Sequence, residues 1–312
     1  MNRPRPADMD LSIIIVSWNT RDLLAHCLSS IFTHPPPGKF EVIVVDNASV
    51  DGTAAMVRER FPEVRLMAME RNLGFAAANN RAIETGQGRY LLLLNPDTIV
   101  QSGALIALVD FMDKTPDAGA AGSLLMNSDG TLQISCYPVP TLGREFWRLF
   151  HLDRLSPRAV YPMAGWAADA PRAVDTIQGA SFMVRRDVLH RTGSLDESFF
   201  MYSEEVDWCL RIRSAGWKIY WVPDSRVVHH GGQSSSQVQS KMFLQLYRGK
   251  LTFFRKHYGR ISGLLYKGEL FIAAIARIIL TPIACLLAPQ KCGEYTTLAR
   301  QYGRLVISLP KM

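Results

Sequence analysis

The chain lacks several features that define common protein classes. Its five cysteines are odd in number, widely scattered and never in Cys-x-x-Cys spacing, which argues against a disulfide framework and a zinc site. No Gly-x-Gly-x-x-Gly follows the first apolar run, and no Walker Gly-Lys-Ser/Thr string exists, so a dinucleotide-dependent oxidoreductase is disfavoured. The first ten residues have no apolar stretch typical of a secretory signal. A reducing cytoplasm is therefore the expected setting.

Acidic residues are scarce in the last quarter of the chain. Of the net +7 charge, residues 240–312 contribute +10, from 12 Lys/Arg and 2 Asp/Glu, which leaves −3 for the rest. A nucleic-acid partner is not expected, because zinc-finger spacing, a basic region with heptads and an RNP-like string are missing. Since the basic residues alternate with long apolar runs, anionic lipid is the better partner.

The longest apolar run lies in this basic segment. Residues 270–288 contain one charge, Arg277, and are flanked by Lys267 and Lys291. Their number is sufficient to span a bilayer, but a central arginine costs about 2.5–3.5 kcal/mol there, and Pro282 removes a helix hydrogen bond. A helix lying in the membrane interface is the favoured interpretation. A buried helix, packed on the rest of the chain or in a homodimer, is the alternative.

Short apolar runs alternate with helical patterns over the first hundred residues. Strands are predicted at 11–17, 40–46, 64–69 and 90–95, and helices at 20–32, 52–61 and 74–85. This alternation predicts an α/β fold with a mostly parallel sheet and helices on both faces. Ligands of such sheets bind beyond the carboxyl ends of the strands, so the polar residues that directly follow each strand are site candidates.

Beyond residue 118 the pattern is weaker. Strands are predicted at 123–127, 132–136, 178–184 and 218–222, and a helix at 204–215. Residues 137–175 are rich in proline, arginine and aromatics without a period. That stretch is either a mobile loop over the acceptor or a surface connection.

Two loops in the first hundred residues have features of a nucleotide site. Asp46 ends a strand and could accept a hydrogen bond from a pyrimidine ring N–H, whereas Asp51 is better explained as a helix N-cap. Arg71 and Gly74 precede a helix, where glycine permits close backbone approach and the helix N-terminus favours a diphosphate. An ordinary turn would account for Gly74 as well.

Three further positions suggest chemistry. Asp97, in Asn-Pro-Asp at the end of the most apolar strand, could hold Mg²⁺ or Mn²⁺, and His229 could complete that metal site. A turn carboxylate and a structural histidine are the alternatives. Glu204 and Glu205 begin a helix, so either could act as a general base or stabilise the helix N-terminus. Asp207 could pair with Arg211 four residues later.

Five strings, in this order, resemble the family 2 glycosyltransferases of GT-A fold, especially their bacterial rhamnosyltransferase-like branch. The strings are IIIVSWN (13–19), VVDNASVDGT (44–53), NLGFAAANN (72–80), LLLNPD (92–97) and FFMYSEEVDWCLRIRSAGW (199–217). The resemblance covers about residues 11–235.

The resemblance implies a role for each matching position. Around the nucleotide sugar it implies Trp18, Asn19, Asp46, Asn47, Ser49, Arg71, Asn72, Gly74 and Asn95. Around the acceptor it implies Gln178, Gly179, Ala180 and Glu204, with Glu205 as the base. Asp97 corresponds to the last acid of the family's metal-binding Asp-x-Asp, with His229 as a further ligand. Asn95 stands where the family has the first acid, which removes one negative charge from the metal site.

The implied activity is an inverting transfer of a sugar, rhamnose being the best guess, from a dTDP- or UDP-linked donor with Mg²⁺ or Mn²⁺. The acceptor would be a cell-envelope or lipid-linked saccharide at the cytoplasmic face of the bacterial inner membrane. The implied domains are a catalytic domain at 1–235, with a nucleotide half (11–100) and an acceptor half (101–235), and a membrane-associated segment at 236–312. The alternative is a membrane-tethered interaction protein that binds nucleotide sugar with weak catalysis, because Asn95 replaces an acid.

Overall fold

The computed structural model describes residues 9–156, 158–232 and 237–312. Residues 1–8, 157 and 233–236, and with them the predicted boundary at 235/236, lie outside the described residues. The chain divides into two compact units. The first comprises the described parts of Met1–Val139, Pro162–Phe200 and Glu204–Gln237, and the second comprises Pro140–Tyr161, Met201–Ser203 and Val238–Met312.

A ten-stranded sheet forms the centre of the first unit. Its strands are β1 (Leu11–Ser17), β2 (Phe40–Asp46), β3 (Arg65–Ala68), β4 (Tyr90–Leu94), β5 (Thr98–Val100), β6 (Ala118–Met126), β7 (Leu132–Gln133), β9 (Arg172–Val174), β11 (Ser181–Arg185) and β12 (Lys218–His229). A separate two-stranded sheet pairs β8 (Cys136–Tyr137) with β10 (Thr176–Ile177).

The main path of the sheet runs β3-β2-β1-β4-β11-β6-β12-β5. Strands β1 to β4 pair in parallel, with Ile14 opposite both Ile43 and Leu93. Strand β11 is antiparallel to both β4 and β6, whereas β12 is parallel to β6. The predicted α/β fold with a mostly parallel sheet is therefore confirmed, and β11 is the antiparallel strand that joins its two halves.

Helices of the first unit lie against this sheet because they bury an apolar face. They are α1 (Arg21–Thr33), α2 (Thr53–Arg60), α3 (Phe75–Ile83), α4 (Ala104–Lys114), α6 (Arg186–Thr192) and α7 (Glu204–Ser214). On one side of β1, Ile13 and Ile15 share a core with Leu28 of α1, and all three are fully buried. Ile14 alternates to the opposite face and is also fully buried. A Leu28→Ala change would cost about 2–5 kcal/mol.

Helix α7 is held in place by contacts along its length. The Trp208 indole stacks on Phe182 at 5.4 Å and donates from Nε1 to the Gly193 carbonyl at 3.0 Å. Asp207 is fully buried, and its Oδ2 lies 2.8 Å from Arg211 Nε. These contacts favour the structural interpretation of Asp207 and fix the position of the two glutamates at the start of the helix.

The described residues of the second unit contain three α-helices. They are α5 (Leu142–Leu149), α8 (Gln239–Leu287) and α9 (Cys292–Ser308). The backbone of α8 leaves helical geometry at Gly259, where φ is 85°, and continues through Pro282. The break that the sequence suggested at Pro282 therefore lies at Gly259 instead. Helix α5 and strand β9 account for part of 137–175, so that stretch is not a single loop.

The C-terminal half of α8 exposes much of its apolar surface. Ile279 is 66% exposed and Leu286 is 81% exposed, as are several other large apolar side chains of this helix. The helix is long and apolar enough to cross a membrane, by length and composition alone. This surface fits the predicted association with a membrane, because a soluble surface seldom leaves so many large apolar side chains in contact with water.

One disulfide departs from the expectation for the cysteines. Cys285, at the end of α8, is bonded to Cys292, at the start of α9, with their Cα atoms 4.5 Å apart. The sequence suggested no pairing because only the reversal of the chain between the two helices brings these residues together. Cys27, Cys136 and Cys209 are buried thiols.

Candidate active site

The loops that follow β1 and β2 hold each other by hydrogen bonds. Asn19 Oδ1 accepts from the Val50 N–H at 2.8 Å, and the Asn19 N–H donates to Ser49 Oγ at 2.9 Å. Asp46 Oδ1 accepts from the Ser49 N–H at 3.1 Å. Asn19 has a φ of 51°, a left-handed conformation that persists when surrounding contacts fix it. Trp18 is half-buried beside them, so the predicted base and ribose residues lie together at this edge of the sheet.

Asn47 connects this loop to the loop after β3. Its side chain is buried, and its Oδ1 accepts from the Leu73 N–H at 2.8 Å. Its Nδ2 donates to Asn72 Oδ1 at 2.9 Å and to the Gly74 carbonyl at 3.2 Å. The amide oxygen and both of its N–H groups are therefore used, so Asn47 fixes the spacing of the two loops.

Gly74 permits a close backbone approach at the start of α3. Its φ is 85°, and a Cβ there would lie 2.4 Å from the Phe200 carbonyl oxygen. That carbonyl accepts from the Phe75 N–H at 2.7 Å, and the Gly74 N–H donates to Asn72 Oδ1 at 2.9 Å. Two N–H groups at the start of α3 are thus taken by the protein itself and are not offered to a diphosphate. Arg71 is exposed on the same loop.

Asp51 links the starts of two helices. Its Oδ1 accepts from the Thr53 N–H at 3.1 Å, and its Oδ2 accepts from the Arg21 N–H at 2.9 Å. Burial would raise the pKa of Asp51, but these bonds and one from the Thr53 hydroxyl together lower it. The predicted N-cap role is therefore corrected: Gly52 is the N-cap of α2, and Asp51 lies one residue before it while still accepting from the first N–H of the helix. A polar cavity of about 320 Å³ lies beside it, lined by Asn19, Thr20, Arg21, Asp22, Leu23 and Asp51.

The predicted metal ligands lie next to each other. His229 ends β12 with Nε2 3.4 Å from Asp97 Oδ1 and 3.3 Å from Asn95 Nδ2, and both His229 and Asp97 are buried. His229 Nδ1 lies 2.6 Å from Gln133 Oε1. Because an amide oxygen only accepts, Nδ1 donates to Gln133, and this contact turns Nε2 toward Asp97.

Asp97 and His229 fit a divalent metal whose other ligands come from water and from the donor phosphates. Among the described residues no three His, Cys, Asp or Glu side chains gather into a metal-binding group. Asp97 and His229 can supply one oxygen and one nitrogen ligand, which leaves most positions to water and to donor phosphate oxygens. Mg²⁺ is commonly held in this manner, by one or two carboxylates together with a phosphate substrate.

The turn that joins β10 to β11 lies between Asn95 and Glu205. The Ala180 carbonyl accepts from the Asn95 N–H at 3.0 Å. A Cβ on Gly179 would lie 3.9 Å from Glu205 Cβ and 3.6 Å from the Phe75 ring. The Gln178 N–H is held by the Ser135 carbonyl at 2.8 Å. The turn predicted to contact the acceptor therefore lies next to the predicted base, Glu205, and next to Asn95.

Glu204 and Glu205 form a pair of neighbouring acids. Glu204 is 4% exposed, and its Oε2 has no hydrogen-bond partner among the described residues. Burial raises the pKa of Glu204 well above 4.5, and the charge of Glu205 and a hydrogen bond with it raise the pKa further. The raised pKa thus favours the protonated form of Glu204, which leaves the negative charge of the pair on Glu205.

Two contributors to the site were not predicted from the sequence. Gln133 orients His229, and it lies on a strand of two residues with no pattern of its own. Phe200 gives its carbonyl to the start of α3, and the only signal was its place in the string FFMYSEEV. Each contacts a residue more than ninety positions away in the sequence: Gln133 contacts His229, and Phe200 contacts Phe75.

Comparison with known proteins identifies several relatives. The family model described as "Glycosyl transferase family 2" matches residues 12–193. The N-acetylglucosaminyl-diphospho-decaprenol L-rhamnosyltransferase of Mycobacterium tuberculosis is 30% identical over 254 residues, which cover 73% of this chain and 78% of that protein. The rhamnosyltransferase WbbL of Escherichia coli is 25% identical over 183 residues, covering 54% of this chain and 66% of that one.

A solved structure shares the fold. A mannosyltransferase from Pyrobaculum calidifontis, in complex with GDP-Man and Mn²⁺, superposes with a TM-score of 0.56 at 20% identity. The match covers 98% of this chain and 90% of that one. At this identity the likeness concerns the fold alone.

Proposed function

The chain belongs to glycosyl transferase family 2, and we propose that it transfers rhamnose from a dTDP- or UDP-linked donor to a lipid-linked saccharide of the cell envelope. The observation that carries this proposal is the closeness of these residues: His229 lies beside Asp97 and Asn95, the Asn95 N–H donates to the Ala180 carbonyl, and a Cβ on Gly179 would lie 3.9 Å from Glu205 Cβ. The two candidate metal ligands, Asp97 and His229, and the two acids, Glu204 and Glu205, thereby border the same candidate site. The relatives that are named rhamnosyltransferases support the choice of sugar.

The donor nucleotide binds at the loops that follow β1 and β2. Asp46 is buried at the end of β2, where its carboxylate can accept a hydrogen bond from the ring N–H of uracil or thymine. Trp18, Asn19, Asn47 and Ser49 border the base and ribose, and the polar cavity beside Asn19 gives the nucleoside its space. Asn72, Gly74 and exposed Arg71 lie along the nucleotide, with Arg71 supplying the charge for phosphate.

Transfer is a single displacement with inversion. Glu205 takes the proton from an acceptor hydroxyl as that oxygen attacks C1 of the sugar. The new bond from oxygen to C1 forms as the bond from C1 to the diphosphate breaks, and the nucleoside diphosphate leaves with the electron pair. Glu204, protonated and hydrogen-bonded to Glu205, favours the anionic form of the base and borders the acceptor together with Gln178, Gly179 and Ala180.

A divalent ion, Mg²⁺ or Mn²⁺, would be held by Asp97 and His229, and when bound it neutralises charge on the diphosphate. Gln133 keeps the His229 lone pair directed at that place. Asn95, which replaces a carboxylate, lowers the negative charge available to the ion. We therefore expect weak metal binding by the protein alone and stronger binding with the nucleotide.

The enzyme acts at the cytoplasmic face of the inner membrane. Residues 1–235 would serve as the catalytic domain, with the nucleotide half at 11–100 and the acceptor half at 101–235, and 236–312 would serve as the membrane-associated segment. The exposed apolar side chains of α8 and the +10 charge of residues 240–312 suit a bilayer with anionic lipid. A catalytically weak binding protein is not favoured, because an acid pair suited to general-base catalysis is present.

The test is a transfer assay with the full chain in membranes. dTDP-rhamnose, UDP-glucose and UDP-N-acetylglucosamine are each supplied with N-acetylglucosamine-diphospho-decaprenol, and release of the nucleoside diphosphate and the lipid product are both measured. We expect product from dTDP-rhamnose, its loss on chelation of divalent ions, and its return with added Mn²⁺ or Mg²⁺. Product that forms equally well in the presence of chelator would contradict the metal, and the absence of product from every donor would contradict the proposed transfer.

A further inference from the structure

The second unit contains an apolar groove that the proposed reaction does not use. It has a volume of about 300 Å³ and lies between the C-terminal half of α8, helix α9 and the end of α5. Alanines at 276, 284 and 299 leave room along it, and larger apolar side chains border it. The lining residues are Leu149, Phe150, His151, Ala276, Arg277, Leu280, Thr281, Ala284, Tyr295, Leu298 and Ala299.

A cation lies within this otherwise apolar lining. Arg277 packs over the Tyr302 ring at 4.9 Å, and its guanidinium donates to the carbonyls of Leu149 and Ala273. Its Nη2 also lies 3.1 Å from His151 Nε2. Among the described residues these contacts use three of the five N–H donors of the guanidinium, so two are left for an anion.

His151 lies beside Arg277 at this end of the groove. Burial, Arg277 and Arg154 lower the pKa of His151, and Asp153 opposes them only in part. The lowered pKa favours the neutral form of His151, in which Nε2 can accept from Arg277 Nη2. An apolar groove that ends on a positive charge matches a ligand with an apolar chain and an anionic head.

We propose that this groove binds the isoprenoid chain of a polyprenyl-diphosphate-linked acceptor, with Arg277 facing the diphosphate. The inference rests on the proposed function, because the acceptor there is a lipid-linked saccharide. A single chain suits one groove floored by alanines, whereas a phospholipid brings two chains. The exposed apolar face of α8 places such a groove where a membrane lipid can enter it.

Matched substitutions separate the groove from the rest of the helix. Ala284→Trp fills the groove, while Ile283→Trp adds the same ring at the neighbouring position, which is 53% exposed and outside the lining. Arg277→Gln removes the charge but keeps an amide that can donate to the Leu149 carbonyl. Thermal unfolding and partition into phosphatidylglycerol vesicles are measured first, to establish that each variant is folded and bound to membrane.

Binding is then measured on the full chain with farnesyl diphosphate, farnesol and inorganic diphosphate as separate probes. We expect Ala284→Trp to weaken farnesyl diphosphate roughly tenfold or more, since the loss of about two buried methylenes has that effect. Ile283→Trp should bind like the unchanged chain. Arg277→Gln should weaken farnesyl diphosphate more than farnesol, because only the former carries the anion.

In the transfer assay, Ala284→Trp should raise the KM for the lipid-linked acceptor by a similar factor and leave the donor KM unchanged. An unchanged acceptor KM in an active Ala284→Trp enzyme would overturn the groove while leaving the proposed function intact. Farnesyl diphosphate binding with the expected variant pattern, in a chain that transfers no sugar, would overturn the function alone. Equal competition by phosphatidylglycerol, or an Ala284→Trp effect only on dimer formation, would also overturn the assignment.

Discussion

Two regions of the first unit bury polar side chains in opposite ways. The nucleotide loops, at residues 18–20, 46–51 and 71–74, hold each other by hydrogen bonds in which the Asn47 amide uses its oxygen and both N–H groups. The reactive corner, formed by Asn95, Asp97, Glu204, Glu205 and His229, instead places acids beside each other and leaves Glu204 Oε2 buried without a hydrogen-bond partner among the described residues.

The nucleotide loops and the reactive corner are therefore expected to affect the stability of the fold in opposite ways. A satisfied buried network stabilises one arrangement of the loops, whereas a buried acid beside a like charge costs free energy in the folded state. Substitutions in the nucleotide loops should therefore reduce both stability and binding. Substitutions in the reactive corner should reduce activity while leaving stability unchanged or higher.

The largest effect is expected for Glu205→Gln. Without a base for the acceptor hydroxyl, kcat should fall by about 100- to 10,000-fold, while the melting temperature stays the same or rises. Steady-state transfer rates and thermal unfolding on the same samples check this prediction. Glu205→Asp, which restores the acid of the family, serves as the control and should keep much of the activity. A Glu205→Gln enzyme within tenfold of the unchanged chain would remove Glu205 from the role of base.

Gln133→Leu should act on the metal alone. Loss of the contact that fixes the His229 ring should weaken Mn²⁺ binding about 10- to 100-fold, as measured by calorimetry or by Mn²⁺ resonance in the presence of the nucleoside diphosphate. Gln133→Glu keeps an acceptor for Nδ1 and should retain most of the affinity. If both variants bind Mn²⁺ as the unchanged chain does, His229 does not bind the metal.

Asn47→Ala tests the hydrogen-bond network of the nucleotide loops. The change leaves the Leu73 N–H without its acceptor and removes two donated bonds, so we expect a loss of about 2–3 kcal/mol in the free energy of unfolding. Nucleotide affinity should fall with it. Val50→Ala, in the same loop at a residue that is 91% exposed, should change stability by less than about 0.5 kcal/mol. Equal effects from the two variants would contradict the bridging role of Asn47.

Glu204→Gln should have the smallest effect on the melting temperature, and the size of that effect depends on pH. The pKa of Glu204 is raised above 4.5 in the folded chain, so the folded state binds more protons there than the unfolded chain. The stability contributed by this group is therefore present below 4.5 and is lost as pH rises through the folded pKa. Gln cannot lose a proton, so its advantage should grow with pH, reaching roughly 2 °C in melting temperature near pH 8. Melting curves across the pH range test it, and a constant difference would contradict it.

The nucleotide half of the fold follows from local pattern. The predicted strands at 11–17 and 40–46 match β1 and β2, because both are β-branched runs buried on each face. Helix α4 was not predicted, although Leu105, Leu108 and Met112 recur at helical spacing. Strand β12 was predicted to end at 222, since proline and aspartate at 223 and 224 are typical of a turn. The sheet instead absorbs them as a register irregularity.

The candidate site was predictable where polar residues directly follow apolar strands, as Asn95 and Asp97 do. The antiparallel insertion of β11 depends on pairing between distant segments, which no local period encodes. Gln133 and His229 are 96 positions apart, so their contact could not be read from spacing. Membership of glycosyl transferase family 2, by contrast, was predictable from the sequence, because each of the strings that indicate it is short and continuous.

One hydrogen bond, from the Phe75 N–H at the start of α3 to the Phe200 carbonyl, connects the donor side of the site to the acceptor side. Phe200 lies four residues before Glu204, and its oxygen is held by the Phe75 N–H beside the loop at 71–74. A donor bound at that loop therefore also stabilises the point from which the chain runs to the base. We therefore expect a compulsory order of binding, with the donor first, and an acceptor that meets a competent base only after the donor is in place.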